Sequence, residues 1–131
     1  MSSNHEAPLW GEMWRHLESS FNRSADAVKK RHLNVVARSG HWGNEASPFW
    51  GWVTFQRTSP DSEPLVLTVA FHMIEGELRL RVDLMEEQGP IIDEGSELSL
   101  GSGPSDHEVL EQLRAIDDFI DRQSSKIVDI L

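Results

Sequence analysis

The chain has 131 residues, no cysteine and a formal net charge of −10. That length reads as one domain, 1–131, which buries roughly two thirds of its unfolded surface and needs no covalent staple. The missing thiols exclude disulfides, thiolate metal sites and cysteine nucleophiles and suit a reducing compartment, so a cytoplasmic location is expected.

The acid is unevenly placed. Residues 1–74 hold seven Asp or Glu and seven Lys or Arg, whereas residues 75–121 hold fourteen acids against three arginines, a net of −11. Such a field speeds encounter with basic partners and repels nucleic acid, despite the short run Lys29, Lys30, Arg31. No apolar stretch approaches the 18 or so residues of a membrane span, and MSSNHEAPLW lacks the basic start and apolar run of a signal peptide.

Residues 1–8 read as a disordered tail. From Leu9, the residues Leu9, Trp10, Met13, Trp14, Leu17 and Phe21 recur at spacings of three and four, which predicts a helix with Pro8 in its first turn. Ser19, Ser20, Asn22 and Ser24 compete for backbone hydrogen bonds and predict a stop or bend. A second helical piece is then expected from Ala25 through Val28 towards Leu33 and Val36. Gly40, Gly43, Asn44, Ser47 and Pro48 mark 40–48 as a loop.

Three antiparallel strands follow, at 49–57, 65–73 and 78–85, each with apolar residues at period two. The third is clearest: Leu78, Leu80, Val82 and Leu84 alternate with Arg79, Arg81 and Asp83, one dry face and one wet. Glu75 and Gly76 make a tight hairpin, and Thr58 to Pro64 a longer polar link. Ile91, Ile92 and then Glu97 to Leu100 suggest a broken fourth strand, interrupted at Asp93 to Gly95. Ser105 with Glu108 matches a capping box and starts a closing helix, about 39 Å long if it runs unbroken to Leu131. Ser124 and Ser125 predict a bend that leaves 126–131 as an apolar tail for a second subunit or partner. The fold class is therefore α+β: an N-terminal helix, continuous or broken at the serines, an antiparallel meander of three to four strands, and a long C-terminal helix packed on one sheet face.

All five tryptophans fall at or before Trp52. The expectation is that Trp10 and Trp14 lie on the sheet and that Trp50 and Trp52 belong to a strand buried on both faces. The functional alternative is a partly exposed aromatic surface, since Trp anchors interfaces and whichever face of 49–57 is core, the other still carries large rings.

Chemistry-bearing patterns are few. The six histidines are scattered singly, so no metal is expected, and His72 alone lies mid-strand. Carboxylates that are neighbours in sequence, such as Glu86 with Glu87 and Asp93 with Glu94, point in different directions and single out no acid–base pair. The 93–97 segment is too short for a calcium loop, the Gly101 to Pro104 run has no lysine to make it a phosphate cradle, and no G-x-S-x-G is present. No catalytic residue and no cofactor are assigned, and the reading leans away from an enzyme.

In size, charge and element order over most of the chain, the layout resembles that of bacterial secretion chaperones and related small acidic chaperone-like domains, and of immunity proteins that neutralise basic toxins. That resemblance implies a non-enzymatic protein-binding module; the charge distribution adds the expectation of a basic protein partner, and the aromatic and acidic residues Trp50, Trp52, Glu86, Glu87, Asp93 and Glu94 are its expected contacts. The alternative is a small-ligand-binding domain or small enzyme with a pocket on the Trp50, Trp52, His72 side. The sheet edge and the long terminal helix leave surface to cover, so a homodimer is the default expectation.

Overall fold

A computed structural model describes residues 8–58, 63–95 and 97–131; most of the expected tail, 1–7, lies outside them. Pro8 opens α1 (Pro8–Arg31), a single helix. Met13, Leu17, Phe21 and Val28 form its buried stripe at helical spacing. The bend expected at the serines does not occur, because tertiary contacts use them. Ser20 Oγ donates to Asp117 Oδ1 at 2.6 Å, and Ser24 and Ser124 share a hydrogen bond of 2.6 Å. Small side chains there let α1 approach the last helix closely, and the partners remove the hydroxyls' incentive to break the backbone ladder.

The second helical piece also stops short of Val36. Lys29, Lys30 and Arg31 sit favourably at the negative end of α1, a turn follows, and the chain enters β1 (Val35–Trp42). The loop expected over 40–48 therefore begins only after Trp42. Gly40 is a strand residue: a Cβ there would come within 2.6 Å of the Trp52 ring, so its glycine makes room for that indole.

Strands β2 (Phe49–Arg57), β3 (Leu65–Ile74) and β4 (Glu77–Glu86) lie where the alternation places them. Glu75 and Gly76 both take positive φ, 52° and 81°, as a two-residue hairpin turn matching the strand twist requires. The sheet runs in the order β1-β2-β3-β4-β5, all antiparallel, with more strands than the three to four expected. The broken fourth strand is two short pieces on the outer side of β4, namely β5 (Ile91–Glu94) and β6 (Leu98–Ser99), with a register shift at Leu84/Met85.

Ser105 forms the expected capping box: its Oγ accepts from the Glu108 N–H at 3.1 Å, and its own N–H donates to Glu108 Oε1 at 3.0 Å. The helix it starts, α2 (Asp106–Leu110), gives way to α3 (Leu113–Ile130). The break thus falls near Glu111 rather than at Ser124, whose Oγ donates to the Ile120 carbonyl at 2.9 Å within an intact helix. Ile127 is fully buried, so residues 126–131 do not project as a free tail. His32 Nε2, 2.8 Å from the Val128 carbonyl, ties that end to α1.

Both long helices cover one sheet face. Phe49, Val53, Phe55, Leu65, Leu67, Val69, Phe71, Leu80, Val82 and Leu84 point into this layer and meet Met13, Leu17, Phe21, Ile116, Ile120 and Ile127. Trp10 and Trp14 lie on it as expected: Trp10 packs 5.9 Å from Phe49 and 5.3 Å from Phe71, and Trp14 stacks on His41 at 4.4 Å between ring centroids.

Candidate functional site: the helix-free sheet face

Residues alternate across a strand, so the positions between the core residues share the other face, which no helix among the described residues covers. Trp50 and Trp52 are here, and β2 is not buried on both sides: both rings are partly exposed and Trp42 beside them is 46% exposed. The register aligns three rows. The first is Trp42, Trp50, Ala70 and Arg81; the second is Gly40, Trp52, Thr68, Asp83 and Glu94; the third is Arg38, Thr54, Val66, Met85 and Ile91.

In the first row, Trp42 and Trp50 stack with centroids 5.4 Å apart and planes 12° from parallel. Trp50 also meets the His72 ring edge-on at 5.1 Å. His72 Nδ1 shares a 2.7 Å hydrogen bond with the Ser47 hydroxyl, and the Met73 N–H donates to the Ala46 carbonyl at 2.7 Å. Together these pin the 43–48 loop to the end of β3. Burial, and then the positive charge of Arg81, hold the His72 imidazole below the ordinary histidine value, so it is neutral at pH 7.

The second row is a charged network at a place the sequence marks only as wet. Thr68 Oγ1 donates to Asp83 Oδ1 at 2.7 Å, Arg81 Nε lies 3.3 Å from Asp83 Oδ2, and Arg81 Nη2 reaches Glu94 at 3.3 Å. Thr68 and Asp83 are only 5% and 8% exposed although no helix lies above them. A carboxylate buried that far needs such partners, since an unpaired one costs several kcal/mol on the order of a lost ion pair. Asp83 is the residue of this face that alternation alone does not single out.

At the β1–β2 end of the third row lies a groove of about 550 Å³ lined by Val36, Arg38, Trp52, Thr54, Gln56 and Glu87. Trp52 therefore opens into a groove whose lining does not include Trp50 or His72. Of the three residues placed on one pocket side, Trp50 and His72 touch and Trp52 stands apart.

The four acids divide. Glu87 lines the groove, and Glu94 pairs with Arg81 on the open face. Glu86 and Asp93 lie at register positions of the helix side, opposite Leu65 and Leu84. Asp93 is already held by Lys126 Nζ and Gln123 Nε2, each at 2.7 Å, and these two bonds lower its carboxyl pKa. Exposed acids are richer on the outer side of the C-terminal helices, where Asp106, Glu108, Glu111, Asp118 and Asp121 face solvent.

Among the described residues Ser47 with His72 is the one hydroxyl–imidazole hydrogen bond, and there no third side chain hydrogen-bonds the imidazole. Among the described residues no set of three or more His, Asp or Glu side chains could hold a metal ion, and no helix is long and apolar enough to cross a membrane. No family model, no curated protein and no solved structure matches the chain. The likeness to secretion chaperones and immunity proteins thus rests on layout alone, and the functional reading rests on this face.

Proposed function

We propose that this chain is a non-enzymatic protein-binding module, chaperone-like or immunity-like in its use, whose helix-free sheet face grips apolar side chains of a basic protein partner. One observation carries the reading: Trp42, Trp50 and Trp52 stand part-exposed on a rigid sheet beside an ordered charge network. Large rings already ordered by their neighbours have little freedom left to lose on binding, which is what interface anchors require. The net charge of −10 supplies attraction at long range for a basic partner, affecting encounter more than affinity.

A small-ligand site on the same side has one observation in its favour, the contact of Trp50 with a neutral His72. It is the weaker reading, because Trp52 turns into a separate groove and no catalytic set converges on the pair.

The test is selection of binders from a random peptide library displayed on phage, using the wild-type protein and a Trp42→Ser/Trp50→Ser variant. Enrichment of peptides combining apolar and basic residues, lost with the variant and weakened by salt, supports the reading. Equal enrichment by both proteins, or selection of acidic peptides, contradicts it.

A further inference from the structure

The two edges of the sheet are built differently. One edge is covered by the short strands β5 and β6, with a register shift between Leu84 and Met85 and the charges of Asp93 and Glu94. The other is β1, whose eight residues pair with β2 in unbroken register from Val35↔Arg57 to Trp42↔Trp50 and include neither proline nor lysine. Natural edges are blunted by shortness, bulges, Pro and charged side chains, Lys above all; β1 carries a single such charge, Arg38, in an otherwise regular edge that can serve as a template for another strand.

The free backbone groups of β1 can be assigned. The Thr58 N–H donates to the Asn34 carbonyl at 2.9 Å, towards β2, whereas the Val35 N–H donates to the His32 carbonyl at 3.2 Å, away from it. In an antiparallel ladder alternate residues address the same neighbour. Val36, Arg38, Gly40 and Trp42 therefore bond β2, and Ala37, Ser39 and His41 direct their N–H and C=O groups outward.

We infer that β1 pairs antiparallel with β1 of a second copy of this chain, about a two-fold axis at Ser39. Three symmetric registers retain substantial overlap, centred on residues 38, 39 and 40. Centring on Arg38 opposes two like charges. Centring on Gly40 shortens the overlap and sets Val36 against Asn44, beyond the strand. Centring on Ser39 matches Ser39 with itself and Ala37 with His41, so every outward group finds a partner. On the open face it sets Arg38 against Gly40 and Val36 against Trp42, joining two apolar residues that are 44% and 46% exposed in the single chain. The strand is self-complementary as an isologous interface requires. The outcome is one sheet continuous across two chains, with Trp50 and Trp52 still free.

The experiment is sedimentation equilibrium of the full chain over a concentration series, beside Ser39→Pro. Proline at 39 removes an outward N–H and leaves the β2 ladder intact. Wild type is expected to be a dimer, and Ser39→Pro to raise the dimer dissociation constant by about 100-fold, equivalent to two tenfold steps in affinity, with unchanged far-ultraviolet circular dichroism. Should that variant fail to fold, single cysteines decide, since the chain has none of its own. Ser39→Cys places two sulfurs across the axis on backbones about 5.5 Å apart, within disulfide range, and forms a linked dimer under mild oxidant. Ala37→Cys lies several residues from its copy and does not. A monomer at every concentration, a folded Ser39→Pro as dimeric as wild type, or linkage through Cys at 37 as ready as at 39 would overturn the inference.

Discussion

The two faces of one strand show how this molecule divides its aromatic residues. On β2, Phe49 and Phe55 point into the helix layer and are at most 1% exposed, while their neighbours Trp50 and Trp52 point the other way and remain part-exposed. The phenylalanines, with Phe21 and Phe71, carry no polar atom and fill the core. The tryptophans carry an N–H that tolerates water and sit where no helix arrives. One face holds the fold and the other is free to work.

Paired substitutions can break that comparison. Phe71→Ala is expected to cost about 3–5 kcal/mol, the usual loss for truncating a fully buried ring, measured by urea unfolding. Trp50→Ala should cost less than about half of that, because one side of its ring already faces solvent. Equal costs would mean that the open face is as much a core as the covered one.

Asp83→Ala comes next. It strands the Thr68 hydroxyl and loosens Arg81 at a buried position, and a loss of about 1–3 kcal/mol is expected in the same assay. A neutral result would remove the claim that this network orders the face. Ser105→Ala, far from both faces, should cost about 1 kcal/mol through loss of its cap bond alone and leave binding unchanged.

The smallest effect is on pH dependence. His72 has a folded pKa below the ordinary 6.5, chiefly from burial, so the unfolded chain binds the proton more readily. Stability should decline as pH falls through about 6.5 and level off below the folded value. His72→Gln is expected to flatten that slope, followed by thermal unfolding across the window. An unchanged slope would show that burial and the Arg81 charge do not hold His72 below its ordinary value.

Much of the architecture was legible in the sequence where local pattern and tertiary role agree. The alternation in β4 and the capping box at Ser105 both predict what the chain does. The break expected at Ser20 and Ser24 failed because propensity was overruled by α3, whose Asp117 and Ser124 receive those hydroxyls. Strand β1 was missed because its glycine at 40 reads as a turn, whereas it makes room for Trp52, a neighbour only in space. The exposure of Trp50 and Trp52 was open in the sequence because both faces of β2 carry rings, and only the placement of α1 and α3 decides which is covered. The acids were legible as a charge but not as a site: Glu86 and Glu87, like Asp93 and Glu94, are adjacent in sequence and so fall on opposite faces.

The most direct measurement is hydroxyl-radical footprinting with mass spectrometry, with and without a selected basic peptide at saturation. Modification of Trp50 and Trp52 is predicted to fall on binding while Trp10 and Trp14, packed beneath α1 against Phe49, Phe71 and His41, stay unchanged. Continued modification of Trp50 and Trp52 in the bound state, with protection confined to the outer side of α3, would contradict the assignment of binding to the helix-free face.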